Sequence, residues 1–452
     1  MESNFPTIRF GDLLTPEGTR NGVYKGKEFH GRGQKIINMG ELFGNPRLFD
    51  IPMKRVELDA KEQKKFLVQP GDLLFARRSL VAEGAGKCCL IKEVGDETCF
   101  ESSIIKVTPS KDIADSEYIF YLFTSQIGRH LLGTILRQTA VSGITGTDLV
   151  ELEIPFPALP EQKAIAHILG TLDDKIELNR KTNETLEGIA KALFKSWFVD
   201  FDPVRAKAEG RPTGLPDEIG ELFPDSFEES ELGEIPSGWK NLPLGDLYEI
   251  GKGGVWGDDS QTSDSHQPFA CLRGIDCHSL SSGRLPSVPL RYIKDSHQKG
   301  RDLQQYTILV EGSGSFCGRS LLWEKKYEEL IGRRVIYSNF CKRLDPLTDL
   351  SFSPIAWMGM RSAYESGEIG NYRTGSAFPN LDMSGVLMNL KVVIPSIRLA
   401  EAYETFFSLS KRLDPVRQSN TLSEIRDALL PRLISGELRV PDAEKMLEEV
   451  GI

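Results

Sequence analysis

Residues 154–169 have the sequence IPFPALPEQKAIAHIL, and residues 392–407 have the related sequence VVIPSIRLAEAYETFF. In each stretch a short apolar run ends at a proline, and a pattern typical of a helix begins. Pro160 suits the first turn of a helix, and Glu161 is favourable near its positive end. The recurrence of this arrangement in both halves of the chain predicts that one structural plan is used twice.

Further landmarks recur in the same order at nearly constant separation. The matched segments are FGDL (10–13) with LGDL (244–247), PGDLLFARR (70–78) with QYTILVEGS (305–313), and ESSIIKVTP (101–109) with YSNFCKRLDP (337–346). Short alternating or apolar runs broken by Gly, Pro, Asn and Asp predict strand-rich domains with long loops. We therefore expect an α+β fold: two strand-rich domains separated by a long antiparallel pair of coiled-coil helices, in a pseudo-twofold internal repeat.

A heptad pattern defines the first long helix, predicted over about 161–198 and about 55 Å long at 1.5 Å per residue. A weaker pattern, interrupted by Pro415, predicts a second helix that could be its partner. Asn179 and Asn183 would fix the register of the pair at some cost in stability. In the alternative, each helix packs separately on its own domain. The predicted seam is Ile165, Leu169, Leu172, Ile176, Asn179, Asn183, Leu186, Leu193, Trp197, Leu399, Tyr403, Phe406, Leu413, Leu422, Ile425 and Leu429.

These patterns divide the chain into six segments. They are a first strand-rich domain (1–155), a central helix (156–202), an acidic linker (203–238), a second strand-rich domain (239–396), a C-terminal helix (397–440) and a tail (441–452). The net charge is −10, and residues 202–239 contribute 3 basic against 10 acidic residues. The two large domains are therefore close to neutral, so bulk charge alone would not hold them strongly on DNA.

Composition narrows the class of protein. There is no run of eighteen apolar residues and no secretion-type N-terminus, so we expect neither a membrane span nor export. None of the seven cysteines forms a CxxC pair, which favours reduced thiols in a cytoplasmic protein.

Signatures of catalysis are scarce. The six histidines lack metal-ligand spacing, and the sequence contains neither a Walker P-loop nor a GxSxG motif, so we predict no metal and no catalytic residue. ELDAK (57–61), preceded by Asp50, has the acid-x-Lys order that can hold a metal in nucleases. The same letters are typical of a solvated helix face, which is the favoured interpretation.

Gly/Ser-rich loops occupy matching places in the two halves, at 76–87 and 311–320, and again at 137–146 and 373–381. Arg and Gln can read base edges, while Ser, Thr and backbone N–H groups contact phosphates. The alternative is that these are ordinary surface turns. The candidate DNA-binding residues are Arg77, Arg78, Lys87, Arg137, Gln138, Thr139, Ser142, Arg273, Ser313, Ser315, Arg319, Arg373, Thr374 and Ser376.

Three segments carry a resemblance to a known family. Residues 155–210, beginning PFPALPEQKAIAHILGTLDDKIELN, resemble the central region of specificity (S) subunits of type I restriction–modification enzymes. GEIPSGWKNLPLGDL (233–247) is similar to the linker that opens their second recognition domain, and SEIRDALLPRLISGELRV (423–440) to their C-terminal region. The two strand-rich domains match mainly by position.

The resemblance implies a function. Each strand-rich domain would be a target recognition domain for one half of a bipartite double-stranded DNA site, and the helices would set the gap between halves. Two modification (methyltransferase) subunits would dock on the helices, and restriction (translocase/nuclease) subunits would join them. S-adenosylmethionine, ATP and Mg would belong to those partners, leaving this chain without a cofactor. The alternatives are a single-chain DNA nuclease or methyltransferase, and a structural tether whose end domains bind protein.

Overall fold

A computed structural model of the chain describes residues 3–79, 84–137, 142–231, 233–263, 267–375, 379–411 and 414–449. The chain divides into two compact units, one comprising Met1–Lys175 with Thr421–Ile452 and the other Ile176–Asn420. Each unit therefore contains one strand-rich region and part of the long helices.

The first unit contains the first strand-rich region. Its strands are β1 (Thr7–Arg9), β2 (Leu14–Asn21), β3 (His30–Ile37), β4 (Arg47–Leu48), β5 (Arg55–Val56), β6 (Leu73–Ala76), β7 (Arg78–Ser79), β8 (Cys88–Ile91), β9 (Thr98–Phe100), β10 (Ile104–Pro109), β11 (Ser142–Gly143) and β12 (Glu153–Pro155). Its helices are α1 (Met39–Gly44), α2 (Ala60–Phe66), α3 (Ser116–Thr124), α4 (Gln126–Thr134), α5 (Gly146–Val150) and the start of α6 (Leu159–Phe198).

The second unit begins within α6 and contains the second strand-rich region. Its strands are β13 (Phe227–Ser230), β14 (Gly233–Pro236), β15 (Lys240–Pro243), β16 (Tyr248–Ile250), β17 (Pro268–Leu272), β18 (Leu290–Tyr292), β19 (Ile308–Glu311), β20 (Ser320–Leu322), β21 (Val335–Tyr337), β22 (Cys341–Pro346), β23 (Arg373–Thr374), β24 (Asn380–Leu381) and β25 (Lys391–Ile394). The remaining helices are α7 (Asp202–Ala208), α8 (Asp217–Gly220), α9 (Gly274–Ser281), α10 (Asp295–Gln298), α11 (Lys326–Ile331), α12 (Ser353–Glu365), α13 (Met383–Asn389), α14 (Ile397–Ser410), α15 (Asp414–Ser435) and, in the first unit, α16 (Val440–Glu449).

The two units repeat one topology. The main sheet has the order β2-β10-β6-β8-β4 in the first unit and β16-β22-β19-β20 in the second. A smaller sheet has the order β5-β3-β9 in one and β18-β17-β21 in the other, with one antiparallel and one parallel neighbour each time. The pairs β1-β12 and β15-β25 also correspond. The predicted α+β class and internal repeat are confirmed.

The main sheets form because their central strands are apolar on both faces. All four residues of β6 and all four of β8 are buried, as expected for strands that are covered on both faces. In the second unit, β19 and β20 contribute Ile308, Val310 and Leu322 to the largest cluster of that unit. Rigid sheets of this kind can hold the loops at their ends in fixed positions.

Helix α6 is continuous over 40 residues and begins two residues before the predicted start. In the first unit its seam positions Ile165, Leu169 and Leu172 are buried, and Arg426 of α15 bonds Asp173 at 2.6 Å. Arg439 lies 3.0 Å from Glu161. The partner numbers fall as the α6 numbers rise, so the two segments run antiparallel within this unit.

The rest of α6 pairs in the same sense within the second unit. The Asn179 amide donates to Gln418 Oε1 at 3.0 Å, and the Tyr403 hydroxyl donates to the Ala190 carbonyl at 3.4 Å. Trp197 and Tyr403 are both buried, with ring centroids 6.1 Å apart. In each unit, therefore, α6 contacts the C-terminal helices, which disfavours the alternative in which every long helix packs on its own domain.

One predicted seam position lies at the solvent-exposed edge of the seam. Phe406 is 38% exposed, although its ring centroid is 5.8 Å from that of Trp197, and the neighbouring Phe407 is buried. The ring centroids of Phe407 and Trp357 of α12 are 5.8 Å apart. Packing against the strand-rich region therefore buries Phe407, four residues after Tyr403. Leu413 lies outside the described residues.

The other predicted seam positions lie as follows. Leu399, Leu422 and Leu429 are buried. The half-buried positions are Ile176, Asn179, Asn183, Leu186, Leu193 and Ile425.

The predicted connector and tail both contain regular structure. The linker holds α7, α8 and the β13-β14 hairpin, and its Val204 and Phe223 enter the core of the second unit. Pro415 lies in the first turn of α15, whereas Pro431 lies inside that helix. Within the described part of the chain, none of the helices has both the length and the apolarity needed to span a bilayer.

Tyr306 connects the main sheet of the second unit to α14 through a hydrogen bond of its hydroxyl. It has a φ of +61°, while the matching residue of the first unit is Gly71, with a φ of +96°. Left-handed backbone costs an L-residue about 1–2 kcal/mol, and the Tyr306 hydroxyl offsets this by donating to Glu404 Oε1 at 2.8 Å. We expect Tyr306→Phe to lower the free energy of unfolding by about 1.5–3 kcal/mol in urea denaturation.

A double-mutant cycle supplies the control. Because Tyr306→Phe and Glu404→Ala remove the same bond, the double variant should be clearly less destabilised than the sum of the two single variants. Additive losses would show that the bond contributes nothing.

Candidate DNA-recognition surfaces

In the first unit, the two predicted Gly/Ser-rich loops are paired with each other. Strand β7 runs antiparallel to β11, with Ser79 opposite Ser142 and Arg78 opposite Gly143. Arg137 also forms an isolated bridge with Gly143. The described residues of the loops 76–87 and 137–146 therefore lie side by side.

The second unit brings its two corresponding loops together in the same way. Ser313 bridges Asn380, Arg373 of β23 pairs with Leu381 of β24, and the Leu381 amide donates to the Gly312 carbonyl at 2.9 Å. The correspondence between loops 311–320 and 373–381 and those of the first unit therefore holds in three dimensions.

The predicted basic residues of the first unit differ in availability. Arg78 is exposed at the start of β7. Arg77 is half-buried and reaches the Ser102 carbonyl at 3.4 Å, and Arg137 pairs with Asp148 at 2.7 Å. Lys87 points inward, because its Nζ donates to the Phe43 carbonyl at 3.1 Å and lies 5.3 Å from that ring centre. Arg78 is thus the best placed of the four to reach DNA.

In the second unit the arginines are held by neighbours. The Arg319 guanidinium lies 3.5 Å from the Phe316 ring centre and 3.8 Å from Glu311. Burial raises the pKa of the Glu311 carboxyl, and its Oε2 has no hydrogen-bond partner among the described residues. Arg373 donates to the Cys317 carbonyl at 2.9 Å. The Arg319 side chain is therefore oriented mainly by the Phe316 ring.

Arg273 is held by hydrogen bonds within the chain. Its guanidinium bonds both carboxylate oxygens of Asp276, at 2.8 and 2.9 Å, and the Ser287 carbonyl at 3.2 Å. It also precedes α9, where Asp276 accepts from its backbone N–H. These bonds are satisfied without a ligand, so its predicted role in DNA binding receives no geometric support.

The small polar candidates lie on the paired loops. Ser142 and Ser313 are half-buried, while Ser315 and Thr374 are exposed, and the Thr374 hydroxyl donates to the Asn380 carbonyl at 3.2 Å. Gln138, Thr139 and Ser376 lie outside the described residues.

The sequence prediction missed the turn between β21 and β22. Asn339 and Phe340 are exposed there, and with Lys342 and Asn380 they line a groove beside Ser313. The signal available in the sequence was a phenylalanine next to an asparagine, within the segment that aligns with a strand of the first half. Asparagine can donate to N7 and accept from the N6 amino group of adenine at the same time, so this groove has chemistry suited to base contacts.

The nuclease-like segment has a structural use. Asp59 caps α2 by accepting from the backbone N–H groups of Lys61 and Glu62, at 2.7 and 2.9 Å. Asp50 bonds Lys35 at 2.6 Å. In the described ranges, no three His, Cys, Asp or Glu side chains cluster as metal ligands would. The nuclease alternative receives no support.

Comparison with known proteins agrees with this architecture. Residues 2–188 match the family model of the type I restriction modification DNA specificity domain. The chain is 27% identical to the type I restriction enzyme MjaIX specificity subunit of Methanocaldococcus jannaschii, over 74% of this chain and 71% of that protein. It is 25% identical to the HindI specificity subunit of Haemophilus influenzae, over 89% and 94%.

A solved structure shares the fold. The crystal structure of the type I restriction–modification S subunit from M. genitalium aligns over 95% of this chain and 96% of that one, with a TM-score of 0.54 and 16% identity. Together, the family model and these relatives indicate a DNA-recognition protein, and the duplicated strand-rich domains and long helices agree with it. Over most of its length the chain is similar to the specificity subunits of type I restriction–modification systems, and the function that this similarity supports is recognition of a DNA sequence.

Arg78 and Arg273 make a contrasting pair for mutagenesis. Arg78→Ala should weaken DNA binding by the assembled enzyme at least fivefold, since one good base or phosphate contact is worth about 1–3 kcal/mol. It should leave the melting temperature unchanged, because Arg78 is exposed. Arg273→Ala should instead lower the melting temperature by several degrees, because it leaves the buried Asp276 without its charged partner.

Gel-shift titration and thermal melting measure the two effects. Arg211→Ala, which removes another exposed arginine, is the matched control and should change neither. Full DNA affinity in Arg78→Ala would show that this surface is not the one that binds.

Proposed function

We propose that each strand-rich domain reads one half of a bipartite DNA target within a type I restriction–modification complex. The observation that carries this is the repetition of both the sheet order and the loop pairing in two units whose loop side chains differ. A repeated scaffold with different side chains at the reading edge suits two different half-sites.

We infer further that α6 and the C-terminal helices set the gap between the half-sites. Readers on the same face of B-DNA need a separation of about one helical turn, roughly 34 Å, or a longer interval. A continuous helix of 40 residues has the required scale, since it rises about 1.5 Å per residue. The antiparallel contacts within each unit support a rigid role for this element.

A face of α6 offers a docking surface for modification subunits. Its exposed positions at heptad spacing are uncharged: Leu178, Thr182, Thr185, Ile189 and Ala192. Leu178 is 63% and Ile189 51% exposed, although charged residues make up 27% of the chain. Apolar side chains at this spacing are suited to packing against a helix or groove of a partner.

In this proposal the chain performs no catalysis. Two methyltransferase subunits would bind S-adenosylmethionine and modify the DNA, and restriction subunits would bring ATP, Mg and the translocase and nuclease activities. The chain would supply sequence choice and geometry. Its near-neutral domains fit this division, because affinity for the DNA backbone would be shared with the partners.

Changing the length of α6 tests the gap. Inserting four helix-forming residues after Thr182 adds about 6 Å, so the recognised gap should lengthen by roughly two base pairs while both half-sites stay the same. Methylome sequencing of cells carrying the variant would show the change. Altered half-sites with the original gap would refute the assignment.

The control insertion avoids the helix. Four residues placed after the exposed Gly214, where an added Cβ would meet no atom within 4 Å, lengthen the chain equally and should leave the gap unchanged. A changed gap in this control would mean that chain length, not helix length, is being measured.

Charge on the exposed face of α6 tests the docking. Leu178→Asp with Ile189→Asp should abolish co-purification of the modification subunit, because the partner would have to bury two carboxylates. Leu347→Asp, which makes the same change at an exposed leucine elsewhere, is the control and should leave assembly intact. Normal assembly of the double variant would place the docking surface on another part of the chain.

A further inference from the structure

An exposed aromatic residue occupies the same structural position in both units, outside the loops discussed above. The segments are Gly22-Val23-Tyr24 and Gly254-Val255-Trp256. The Val23 amide donates to the Phe100 carbonyl at the end of β9, and the Val255 amide donates to the Tyr337 carbonyl at the end of β21, both at 2.9 Å. Since β9 and β21 correspond, the two turns are equivalent.

The glycine of each turn is required by close packing. A Cβ on Gly22 would overlap the carbonyl oxygens of Phe100 and Glu101, and one on Gly254 would overlap those of Tyr337 and Ser338. The backbone is therefore pressed against the sheet just before the aromatic residue. This packing fixes the backbone position of each aromatic residue. It does not determine what the ring contacts.

Both rings face outward, contrary to what folding alone favours. Tyr24 is 85% exposed, and Trp256 is 36% exposed, whereas Trp197, Trp239, Trp323 and Trp357 are buried. The Trp256 ring is held by Arg291, whose guanidinium lies 4.4 Å from the ring centre and donates to the Trp256 carbonyl at 3.2 Å. A tryptophan held rigidly at the surface is pre-organised for a ligand rather than for the core.

The position of the turns links them to the reading loops. In the first unit, the end of β9 and the segment after it contact both the turn and a reading loop. The Phe100 carbonyl accepts from the Val23 amide, and the Ser103 carbonyl accepts from the Arg77 amide at 2.8 Å. In the second unit Phe340, in the segment after β21, accepts from the Gly312 amide at 2.8 Å. In each unit, then, one short segment lies between the aromatic turn and the paired loops.

Basic side chains accompany each aromatic residue. Lys27 is exposed three residues after Tyr24, and Lys252, which bonds the Lys299 carbonyl at 2.8 Å, is exposed four residues before Trp256. In a duplex the base faces are stacked, so an exposed ring would contact a base at its groove edge, as apolar side chains contact the thymine methyl group, while nearby lysines neutralise phosphates. We propose that Tyr24 and Trp256 each contact a base of the DNA target, in the half-site read by their own domain.

This inference rests on the proposed bipartite recognition, and the experiment separates the two. The complex of the full chain with its modification subunits is titrated with its target duplex, identified by methylome sequencing, and with duplexes altered in either half. If the unaltered complex discriminates in only one half, bipartite reading fails. If it discriminates in both, the variants test the aromatic residues.

Trp256→Ala should weaken target binding by up to about 150-fold, the effect of losing one contact to a base edge worth at most about 1–3 kcal/mol. It should reduce discrimination in the second domain's half-site and leave the other half-site unaffected. Tyr24→Ala should do the reverse. Trp256→Phe and Tyr24→Phe keep a ring and should bind within a few-fold of the unaltered chain.

Leu347→Ala removes another exposed apolar side chain and should have no effect on binding. Unchanged affinity of both alanine variants would overturn the inference, as would phenylalanine variants as weak as the alanine ones. Fluorescence gives an independent readout that needs no alanine variant. The part of tryptophan emission that Trp256→Phe removes should become protected from acrylamide when the target duplex is added, and continued quenching would overturn the inference for Trp256.

Discussion

The burial of one uncharged seam along α6 is the constraint on which the rest of the structure depends. Within the first unit that seam is closed by α15, and within the second by α14 and the start of α15. In proteins, most of the stability of a helix comes from tertiary packing of its apolar face rather than from helix propensity. The stability of α6 comes from tertiary contacts such as Trp197 with Tyr403. The two units therefore share α6, and each buries its own part of the seam.

The second unit shows how a recognition domain is fastened to that helix. Glu187 of α6 pairs with Arg361 of α12, and Lys191 bonds Glu365 at 2.8 Å. Lys411, at the end of α14, donates to the Ser281 carbonyl at 3.0 Å, and burial lowers its pKa to about 8. Because removing one member of a buried charge group leaves the others uncompensated, such a cluster favours a single orientation. A fixed orientation is what a domain that reads one groove face requires.

The sequence was most informative where physical periodicity determines structure. The heptad pattern located α6 to within two residues at its start, and proline and glycine landmarks revealed the duplication before any sheet order was known. The heptad pattern placed Phe406 in the seam because periodicity takes no account of Trp357 of α12, on which the neighbouring Phe407 packs. The outward rings of Tyr24 and Trp256 gave no periodic signal. Their significance depends on the close approach of Gly22 and Gly254 to a strand 80 residues away, and only the fold shows that approach.

The electrostatics of the two domains follow from their need to discriminate. Arg273 is paired with Asp276 and Arg137 with Asp148, so part of the basic charge near the loops is neutralised within the chain. A surface of unpaired arginines would bind any duplex, since phosphate contacts carry no sequence information. Pairing lowers that sequence-independent attraction and leaves a larger share of the binding free energy to shape and base contacts. A chain whose purpose is to choose among sequences gains specificity from this balance, provided that other subunits supply affinity for the backbone.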